Sequence, residues 1–480
     1  MKTLSAVVLL LSFSVGCTVG PNYSRPTVVV PGNYRGVAPS VQTAPDAGKS
    51  EADQQASAQP AAQSIADEKW WEVFQDKQLQ ELIRTALKNN YDVQIAAARI
   101  LKAQAQLGIT RADQLPTVGV SAAAINYDVP RNKFTGPNTA SDVSSVTANF
   151  NWQLDFWGKY RRATEAARAN LLAARWAREY VVSTLVSDVA ASYFQLRALD
   201  LQLEVARRTL EARKESLKLT QTLTDGGAGT MLDVRQAEQL VATAAETIPD
   251  LERRIEQQEN YISTLLGNNP GPIARGLSLT EQPHAPEVPA GLPSGLLERR
   301  PDIREAEEQL VAANAYVGVA KAAYYPNISL TANAGFASSA LTSLFTGPAG
   351  LWAFGGTLAQ PIFSGGRIKS GVRYSEAQKQ ETLLMYRQTI QQAFRGVSDS
   401  LVAYRKDREF REYQQQLTDA AQDAARLSED RYAGGRASYL EVLTNNTNYF
   451  NAELGLAQAR ANELVALVDI YKNLGGGWQN

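Results

Sequence analysis

The stretch "NFNWQLDFW" (Asn149–Trp157) alternates strictly between apolar and polar residues. Phe150, Trp152, Leu154 and Phe156 fall on one face of an extended chain, and Asn, Gln and Asp fall on the other. A period of two predicts a β-strand with one apolar and one polar face. Such a strand fits a lipid-facing membrane barrel and a half-buried sheet of a soluble domain equally well.

The sequence predicts further strands around this stretch. Ile328–Phe336 alternates in the same way, and 352–358 carries spaced large apolar residues. The first strand, near Thr117–Tyr127, shows the weakest alternation. The strands are therefore predicted as two pairs, at about 117–157 and about 327–363.

A very long helix is predicted after each strand pair. Lys159–Asp225 contains neither Gly nor Pro and is rich in Ala, Leu, Arg and Glu. One helix over this range would be on the order of 100 Å long, so it must pack lengthwise against other helices, as in coiled coils. A matching helix is predicted from about Tyr374 to Arg431, with only Gly396 inside it.

The two halves of the chain are repeats. Leu87–Ala123 matches Leu297–Asn333 at a constant offset of 210 residues without a gap. A tandem duplication explains this better than chance. We assign the repeats to 70–270 and 295–480, joined by a Pro- and Gly-rich linker, 271–294.

Each long helix is followed by a glycine pair. Gly226 and Gly227 match Gly434 and Gly435 at an offset of 208 residues. Glycine readily takes the positive φ that ends a helix. The pattern predicts tight turns at about 225–230 and about 433–437, each followed by a return helix.

The turns carry two candidate helix caps. Thr230 and Asp233 in the first turn, and Ser438 and Glu441 in the second, have capping-box spacing. The sequence predicts that each Thr or Ser caps a return helix together with the acidic residue.

The N-terminus reads as a processing signal. Lys2 precedes an apolar run that is too short to span a bilayer, and 1–16 is predicted to be a lipoprotein signal peptide. The only cysteine, Cys17, follows Gly16 and is the predicted lipidation site. Residues 17–69 are predicted to form a lipidated tether, because most of this segment is poor in large apolar residues.

The amino-acid composition limits the classes of function that the protein can have. The 480 residues carry a net charge of −1, one Cys and one His, which excludes a basic nucleic-acid surface and leaves little for a metal site. His284 is expected to be a solvated linker residue, and "RRPD" (Arg299–Asp302) to be structural. No nucleophile–base pair or phosphate loop is present, so we expect no enzyme and no cofactor besides the lipid on Cys17.

Four strands cannot close a barrel. No later run is long and apolar enough for a membrane helix, so any crossing must use strands. Open edges in a bilayer would leave backbone groups unpaired, so the barrel would be shared between copies. Three chains would give twelve strands, an even number in the known range.

Several motifs carry a family resemblance that covers essentially the whole chain after the tether. They are Cys17 with "GPNY" (Gly20–Tyr23), "WWEVFQD" (Trp70–Asp76), "FWGKYRRATEAARA" (Phe156–Ala169), "LPSGLLERRPDIREAE" (Leu292–Glu307) and "FSGGR" (Phe363–Arg367). With them the sequence resembles the TolC-like outer membrane factors, and among these the OprM/NodT type of efflux outer-membrane lipoprotein.

The resemblance implies a fold and partners. The fold would be mainly α with a small β part: a homotrimeric twelve-stranded outer-membrane β-barrel, four strands per chain, continued by a long α-helical periplasmic barrel. The protein would be a passive conduit for small molecules or drugs in the Gram-negative outer membrane. It would work with a periplasmic membrane-fusion adaptor and an inner-membrane RND-type transporter, in contact with outer-membrane lipid and without nucleic acid.

The resemblance also implies roles at the turns. The glycine turns would lie at the periplasmic tip, where the adaptor docks. Asp233 and Glu441 would either cap helices only or also ring the closed pore, and the sequence leaves both open. Tyr432 and Arg436 would hold the tip shut, and we hypothesise a latch of Asp233, Tyr432 and Arg436 between the repeats.

Two alternatives stay open from the sequence. One is an outer-membrane channel for type I protein secretion. The other is a periplasmic coiled-coil lipoprotein that forms no channel.

Overall fold

The computed structural model describes residues 18–35, 64–129, 139–282 and 293–478. The predicted signal peptide 1–16, the lipidation site Cys17, the tether residues 36–63 and the linker residue His284 lie outside the described residues. No helix in the described ranges is both long enough and apolar enough to cross a membrane.

Both repeats fold into the same order of elements, except that the first begins with one additional short helix. In the first they are α1 (Trp70–Val73), α2 (Lys77–Asn89), α3 (Tyr91–Ala112), β1 (Thr117–Val129), β2 (Thr139–Leu154), α4 (Lys159–Asp225) and α5 (Met231–Leu265). In the second they are α6 (Pro293–Arg299), α7 (Pro301–Ala322), β3 (Asn327–Ser338), β4 (Gly350–Ala359), α8 (Arg367–Ala433) and α9 (Tyr439–Asn473). Short 3-10 turns lie at Ile65–Asp67, Leu341–Ser343 and Gly347–Ala349.

The helix lengths agree between the repeats. The long helices α4 and α8 each have 67 residues, and the return helices α5 and α9 each have 35. Helix α4 has the predicted bounds, whereas α8 begins seven residues before the predicted start at Tyr374. Its N-terminal limit is set by Gly365 and Gly366, which both have positive φ.

The helices before the strands end earlier than their prolines. Helix α3 ends at Ala112, four residues before Pro116, and α7 ends at Ala322, four residues before Pro326. A residue that precedes proline avoids helical backbone angles, so the chain leaves the helix before it. A tight turn fills the gap, as in the hydrogen bond from the Leu115 N–H to the Ala112 carbonyl (2.9 Å).

The four strands form one antiparallel sheet in the order β1-β2-β3-β4. Next to the helices, its register aligns like residues across all four strands. Val118, Phe150, Ala332 and Phe354 lie opposite one another in one row. One position away, Thr117, Asn151, Thr331 and Gly355 form a row on the other face. Next to the helices, the predicted alternation therefore gives one apolar and one polar face. Farther along β1 and β2 the pattern breaks down, because Ile125 lies opposite Val143 on the polar face and Asn126 lies opposite Asp142 on the apolar face.

The chain divides into two compact units. The first contains Ala98–Arg175, Glu305–Arg387 and the described part of Met1–Thr27, and the second contains Trp176–Arg304, Gln388–Asn480 and the described part of Val28–Ala97. The sheet belongs to the first unit. Alanines of α4 and α7 form a small buried cluster there: Ala166, Ala169, Ala312 and Ala315.

The described start of the chain is fixed to the first unit. The buried Arg162 donates to the side chain of Asn22 (2.7 Å) and to the carbonyls of Val19 and Gly20 (both 3.3 Å). Asn314 donates to the Pro21 carbonyl (2.9 Å). These contacts hold the segment that directly follows Cys17, although it belongs to the predicted tether.

The second unit is organised around the buried carboxylate of Asp76, which is 1% exposed. It accepts hydrogen bonds from the backbone of Gln78 (2.8 Å), from the hydroxyl of Tyr193 (3.0 Å) and from the amide of Gln282 (3.0 Å). The Leu277 N–H donates to the same carboxylate (3.0 Å). One side chain thus caps α2 and joins it to α4 and to the segment that follows α5.

The contacts of the "RRPD" motif stabilise the fold, as the sequence predicted. Arg299 pairs with Asp67 (2.7 Å), and Arg300 pairs with Asp302 (2.6 Å) and donates to the Asn473 carbonyl (2.8 Å). Pro301 is the first residue of α7, where its missing N–H costs no helical hydrogen bond.

The two long helices, α4 and α8, end in turns of the same type. Gly227 (φ +79°) and Gly435 (φ +66°) follow the helices in left-handed conformation. The next residue donates back across the turn: Ala228 to the Leu223 carbonyl and Arg436 to the Arg431 carbonyl, each at 2.8 Å. This pattern is a Schellman motif, in which glycine avoids the steric strain of a side chain.

Only one of the two predicted capping boxes forms. The Thr230 hydroxyl accepts from the Asp233 N–H (3.2 Å), and Asp233 accepts from the Thr230 N–H (2.9 Å). Ser438 makes no side-chain cap, so the predicted second box is wrong. Glu441 instead pairs with Arg431 (3.4 Å). The position equivalent to Arg431 in the first turn is Leu223, which cannot draw Asp233 away from its cap.

We expect Asp76→Ala to destabilise the second unit by about 3 kcal/mol or more, because it leaves several buried donors unpaired. Asp92→Ala is the control, since Asp92 is an exposed residue in the first turn of α3. Thermal unfolding followed by circular dichroism should show a clear loss for Asp76→Ala only. Equal melting of the two variants would contradict the role of Asp76.

The duplicated turns offer a matched pair of cap variants. Thr230→Ala should weaken the start of α5 by about 1 kcal/mol, whereas Ser438→Ala should leave the start of α9 unchanged. Hydrogen exchange read by mass spectrometry should show amides of the first turn of α5 exchanging about fivefold faster. A similar change at both helices would mean that Ser438 also acts as a cap.

Candidate functional site

The apolar face of the sheet is open to its surroundings. Trp352 and Phe354 are 76% and 81% exposed, and Val118 and Val120 on β1 are also largely exposed. A soluble protein rarely shows a contiguous apolar surface of this kind, whereas a lipid-facing strand requires it. The half-buried soluble sheet that the alternation also allowed is therefore not what the chain forms.

The opposite face of the sheet is polar and internally hydrogen-bonded. The hydroxyls of Ser121 and Thr147 lie 3.1 Å apart, and Asn149 donates to Ser121 (2.8 Å). Within the described residues, no strand pairs with the outer edge of β1 or of β4. The sheet therefore has two different faces and two open edges.

The turns form a second site, where the two repeats meet. Ala237 and Leu240 of α5 pack with Tyr439 and Val442 of α9 in one buried cluster. Tyr432, at the end of α8, packs against this cluster with its ring 5.1 Å from that of Tyr439. Apolar packing thus joins the hairpin of α4 and α5 to the hairpin of α8 and α9.

Tyr432 and Asp233 lie close enough to interact electrostatically. Burial raises the pKa of Tyr432, and the negative charge of Asp233 raises this pKa further. The Tyr432 hydroxyl is buried beside Thr220 and is not hydrogen-bonded to Asp233. The structure therefore brings two members of the hypothesised latch together without a direct bond between them.

Arg436 takes no part in this arrangement within one chain. Its backbone closes the second turn, and its side chain is exposed and forms no ion pair among the described residues. The arginine beside an acidic residue is Arg431, which pairs with Glu441 and also donates to the Arg436 carbonyl (3.4 Å). Sequence reasoning missed Arg431, although it lies ten positions before Glu441 across a two-glycine turn.

The acidic residues that follow the two turns, Asp233 and Glu441, have different bonding partners. Asp233 is bound within its own cap, and Glu441 is bound to a cation on the neighbouring helix. Both residues are partly exposed. The two residues stand at equivalent positions of the two repeats.

A buried cation next to the turns was not predicted. Arg213 of α4 is 4% exposed, donates to the Leu240 carbonyl (2.8 Å) and the Asn446 carbonyl (3.4 Å), and lies over the Phe450 ring at 4.8 Å. Burial lowers its pKa, and no acidic side chain of the described residues pairs with it. The sequence did hold a signal, because Arg213 falls in the heptad row of Ala206, Leu210, Leu217 and Thr220.

Arg213 lines a cavity of about 180 Å³ between the hairpins. The Glu453 carboxylate borders the same cavity and accepts from Arg208 and from the Tyr449 hydroxyl (3.0 Å). One Glu453 oxygen and the Arg213 Nε are buried without a partner. The interface between the two hairpins is therefore apolar next to the glycine turns and polar farther along the helices, at Arg213 and Glu453.

Neither site holds an obvious metal centre. In the parts of the chain that the structure describes, no three His, Cys, Asp or Glu side chains group in a way that could bind a metal ion.

Comparison with protein families gives one match in each repeat. The outer membrane efflux protein family matches residues 82–268 and 292–476. Among similar proteins, the probable efflux pump outer membrane protein TtgC of Pseudomonas putida is 36% identical, over 99% of this chain and 96% of its own length. The probable outer membrane lipoprotein SilC of Salmonella typhimurium is 32% identical, over 100% of this chain and 99% of its own length.

Solved structures with the same fold are outer-membrane channels. The channel OprN superposes with a TM-score of 0.86 at 29% identity, over 97% of this chain and 100% of the other. The open-state MtrE channel of Neisseria gonorrhoeae gives 0.84 at 28% identity, over 96% of this chain and 99% of the other. The full-length agreement confirms the predicted fold class, outer-membrane location and channel role. The chain is an efflux-pump outer-membrane channel component and belongs to the outer membrane efflux protein family.

Proposed function

We propose that three copies of this chain form a passive conduit that exports small molecules across the outer membrane. The observation that carries the proposal is the four-stranded sheet with an exposed apolar face and two open edges. In hydrocarbon each unpaired backbone group costs several kcal/mol, so β4 of one copy must pair with β1 of the next. Three copies give a closed barrel of twelve strands.

The partners are a periplasmic adaptor and an inner-membrane RND-type transporter. Relatives named for toluene, solvent and antibiotic efflux pumps support a small-molecule cargo. The same names favour this cargo over the type I secretion of proteins. The glycine turns would offer the adaptor close access to the backbone, since Gly227 and Gly435 carry no side chain.

The conduit performs no chemistry and needs no cofactor. Transport energy would come from the inner-membrane partner, and specificity would be set there as well. The only attached group would be an acyl chain on Cys17. The segment that follows Cys17 supports this, because Arg162 and Asn314 fix it to the unit that contains the sheet.

A charged ring at the tip would set ion preference. Three copies of Asp233 and of Glu441 would favour cations in the constriction. In planar bilayers with a potassium chloride gradient, the wild-type channel should prefer potassium, and Asp233→Asn/Glu441→Gln should move the reversal potential toward zero. Asp250→Asn is the control, because Asp250 is exposed on α5 away from the turns. Absence of any channel in the wild type would contradict the proposed function, whereas an unchanged reversal potential would leave Asp233 and Glu441 outside the pore.

Arg431 should help to hold the tip closed. Arg431→Glu replaces an exposed ion pair by two like charges, a change of about 1 kcal/mol that would raise the open-to-closed ratio about fivefold. Single-channel recording should show a higher open fraction than in wild type. Arg436→Glu changes the same charge five positions away, and the contacts within one chain predict a smaller effect. A larger effect of Arg436→Glu would instead locate the closing contact between copies.

A further inference from the structure

The connection between β3 and β4 carries large apolar side chains that nothing in the described chain covers. Leu341 and Phe345 are 71% and 72% exposed, whereas Leu344 is buried. Leu341 begins a short 3-10 turn, and Leu344 and Phe345 directly follow that turn. We call residues 339–349 the β3–β4 loop. Leu344 fixes this loop to the protein, and Leu341 and Phe345 remain uncovered.

A ring contact shows on which side of the sheet the loop lies. The Phe345 ring packs edge-on against the Phe336 ring, with 5.6 Å between the ring centres. Phe336 lies four positions after Ala332, which belongs to the apolar row of the sheet, so both side chains are on the same face. Trp352 and Phe354 stack on this face as well. The β3–β4 loop therefore continues the exposed apolar surface of the sheet.

The pairing register gives the level at which the loop begins. Phe336 stands in the outermost apolar row of β3. Two positions farther from the helices, Ser338 lies opposite Ser144, and two positions beyond that, Asp142 of β2 lies opposite Asn126 of β1. A change from apolar to polar side chains along a lipid-facing surface marks the edge of the hydrocarbon. The loop therefore begins at the outer surface of the membrane.

The two ends of the sheet that point away from the helices differ in charge. No residue between Lys321 and Arg367 is Asp, Glu, Lys, Arg or His, so the whole β3–β4 segment is uncharged. In the first repeat, Asp142 and Val143 of β2 pair with β1 beyond the end of β3, and Asp142 is exposed there. Charged side chains are costly in a membrane. The β3–β4 loop lacks this cost, whereas the outer end of β2 does not.

Backbone groups of the loop bond within the loop itself. The N–H groups of Ser343, Thr346 and Ala349 donate to the carbonyls three positions earlier, at 3.1, 3.2 and 3.0 Å. The Thr346 hydroxyl donates to the Ser343 carbonyl (2.7 Å), and Pro348 has no N–H. A segment in a poorly hydrated environment needs such internal partners, because an unpaired backbone group is costly there.

We propose that the β3–β4 loop is a lipid anchor whose Leu341 and Phe345 side chains insert among the acyl chains of the outer leaflet. The inference rests on the proposed membrane barrel. The occupant is lipid because the loop extends the face of the sheet that already meets lipid, at the level where hydrocarbon ends. A loop held on this outer face cannot fold over the lumen, so the second repeat leaves the external mouth of the channel uncovered.

Spin labels test the environment of the loop in the full chain, reconstituted in phosphatidylcholine vesicles. Phe345→Cys and Leu341→Cys are labelled with a nitroxide, and electron paramagnetic resonance compares its collisions with oxygen, which concentrates in hydrocarbon, and with a water-soluble nickel chelate. The ratio of oxygen to nickel collisions should be several-fold higher at both positions than for Asp142→Cys, which is the matched control beyond the apolar rows. Trp352→Cys gives the value for the lipid-facing strand, and the unsubstituted chain gives the background from Cys17.

A conductance measurement tests the same placement without a label. Phe345→Arg should leave the single-channel conductance and the reversal potential as in wild type, because this side chain points to lipid and its long stem can carry the charge to the membrane surface. Asn149→Arg is the control, since Asn149 lies on the polar face of the sheet. It should shift the reversal potential away from potassium, because it adds a positive charge to the lumen.

Three outcomes would overturn the lipid anchor. Labels at positions 341 and 345 that the nickel chelate reaches, beside an oxygen-accessible label at position 352, would place the loop in water. Labels that neither reagent reaches would mean that protein covers the loop, and an altered conductance of Phe345→Arg would place it over the lumen. A nickel-accessible label at position 352 would instead reject the lipid-facing sheet, and with it the proposed function.

Discussion

Every backbone amide and carbonyl that enters hydrocarbon must find a partner there, and a sheet of four strands cannot meet this requirement alone. The sheet has an apolar face next to the helices, and among the described residues β1 and β4 each leave one edge unpaired. This one constraint decides what the rest of the chain must do. A single chain cannot pair the edges of β1 and β4 by itself, so it has to assemble with other copies in order to fold in the membrane.

The two glycine turns show that equivalent positions of a duplicated sequence can form different side-chain interactions. Both turns use a left-handed glycine and the same backbone hydrogen bonds. Their side chains have diverged, since Asp233 is bound within its own helix start while Glu441 reaches back across the turn to Arg431. The first turn is thereby closed by local bonds. The second depends on an ion pair between two helices, which salt and neighbouring charges affect more strongly.

Much of this structure could be predicted because it follows from local rules. The absence of Gly and Pro between Lys159 and Asp225 gave the bounds of α4, and alternation gave the strands and their faces. The second capping box could not be predicted, because the competitor of Ser438 for Glu441 lies on the preceding helix. Asp76 is the N-cap of α2, and its bonds to Tyr193 and Gln282 could not be predicted because they depend on distant segments. Arg213 lies in a heptad row that indicates burial, but its bonds to the Leu240 and Asn446 carbonyls depend on how two hairpins pack.

The equal lengths of the helices carry a consequence for how such a chain can change. With 67 residues in both long helices and 35 in both return helices, the two glycine turns are reached after the same rise. An insertion in α4 alone would displace one turn by about 1.5 Å per residue and rotate its face by about 100°. A change of length in one long helix therefore keeps the two turns level only when the other long helix changes by the same number of residues.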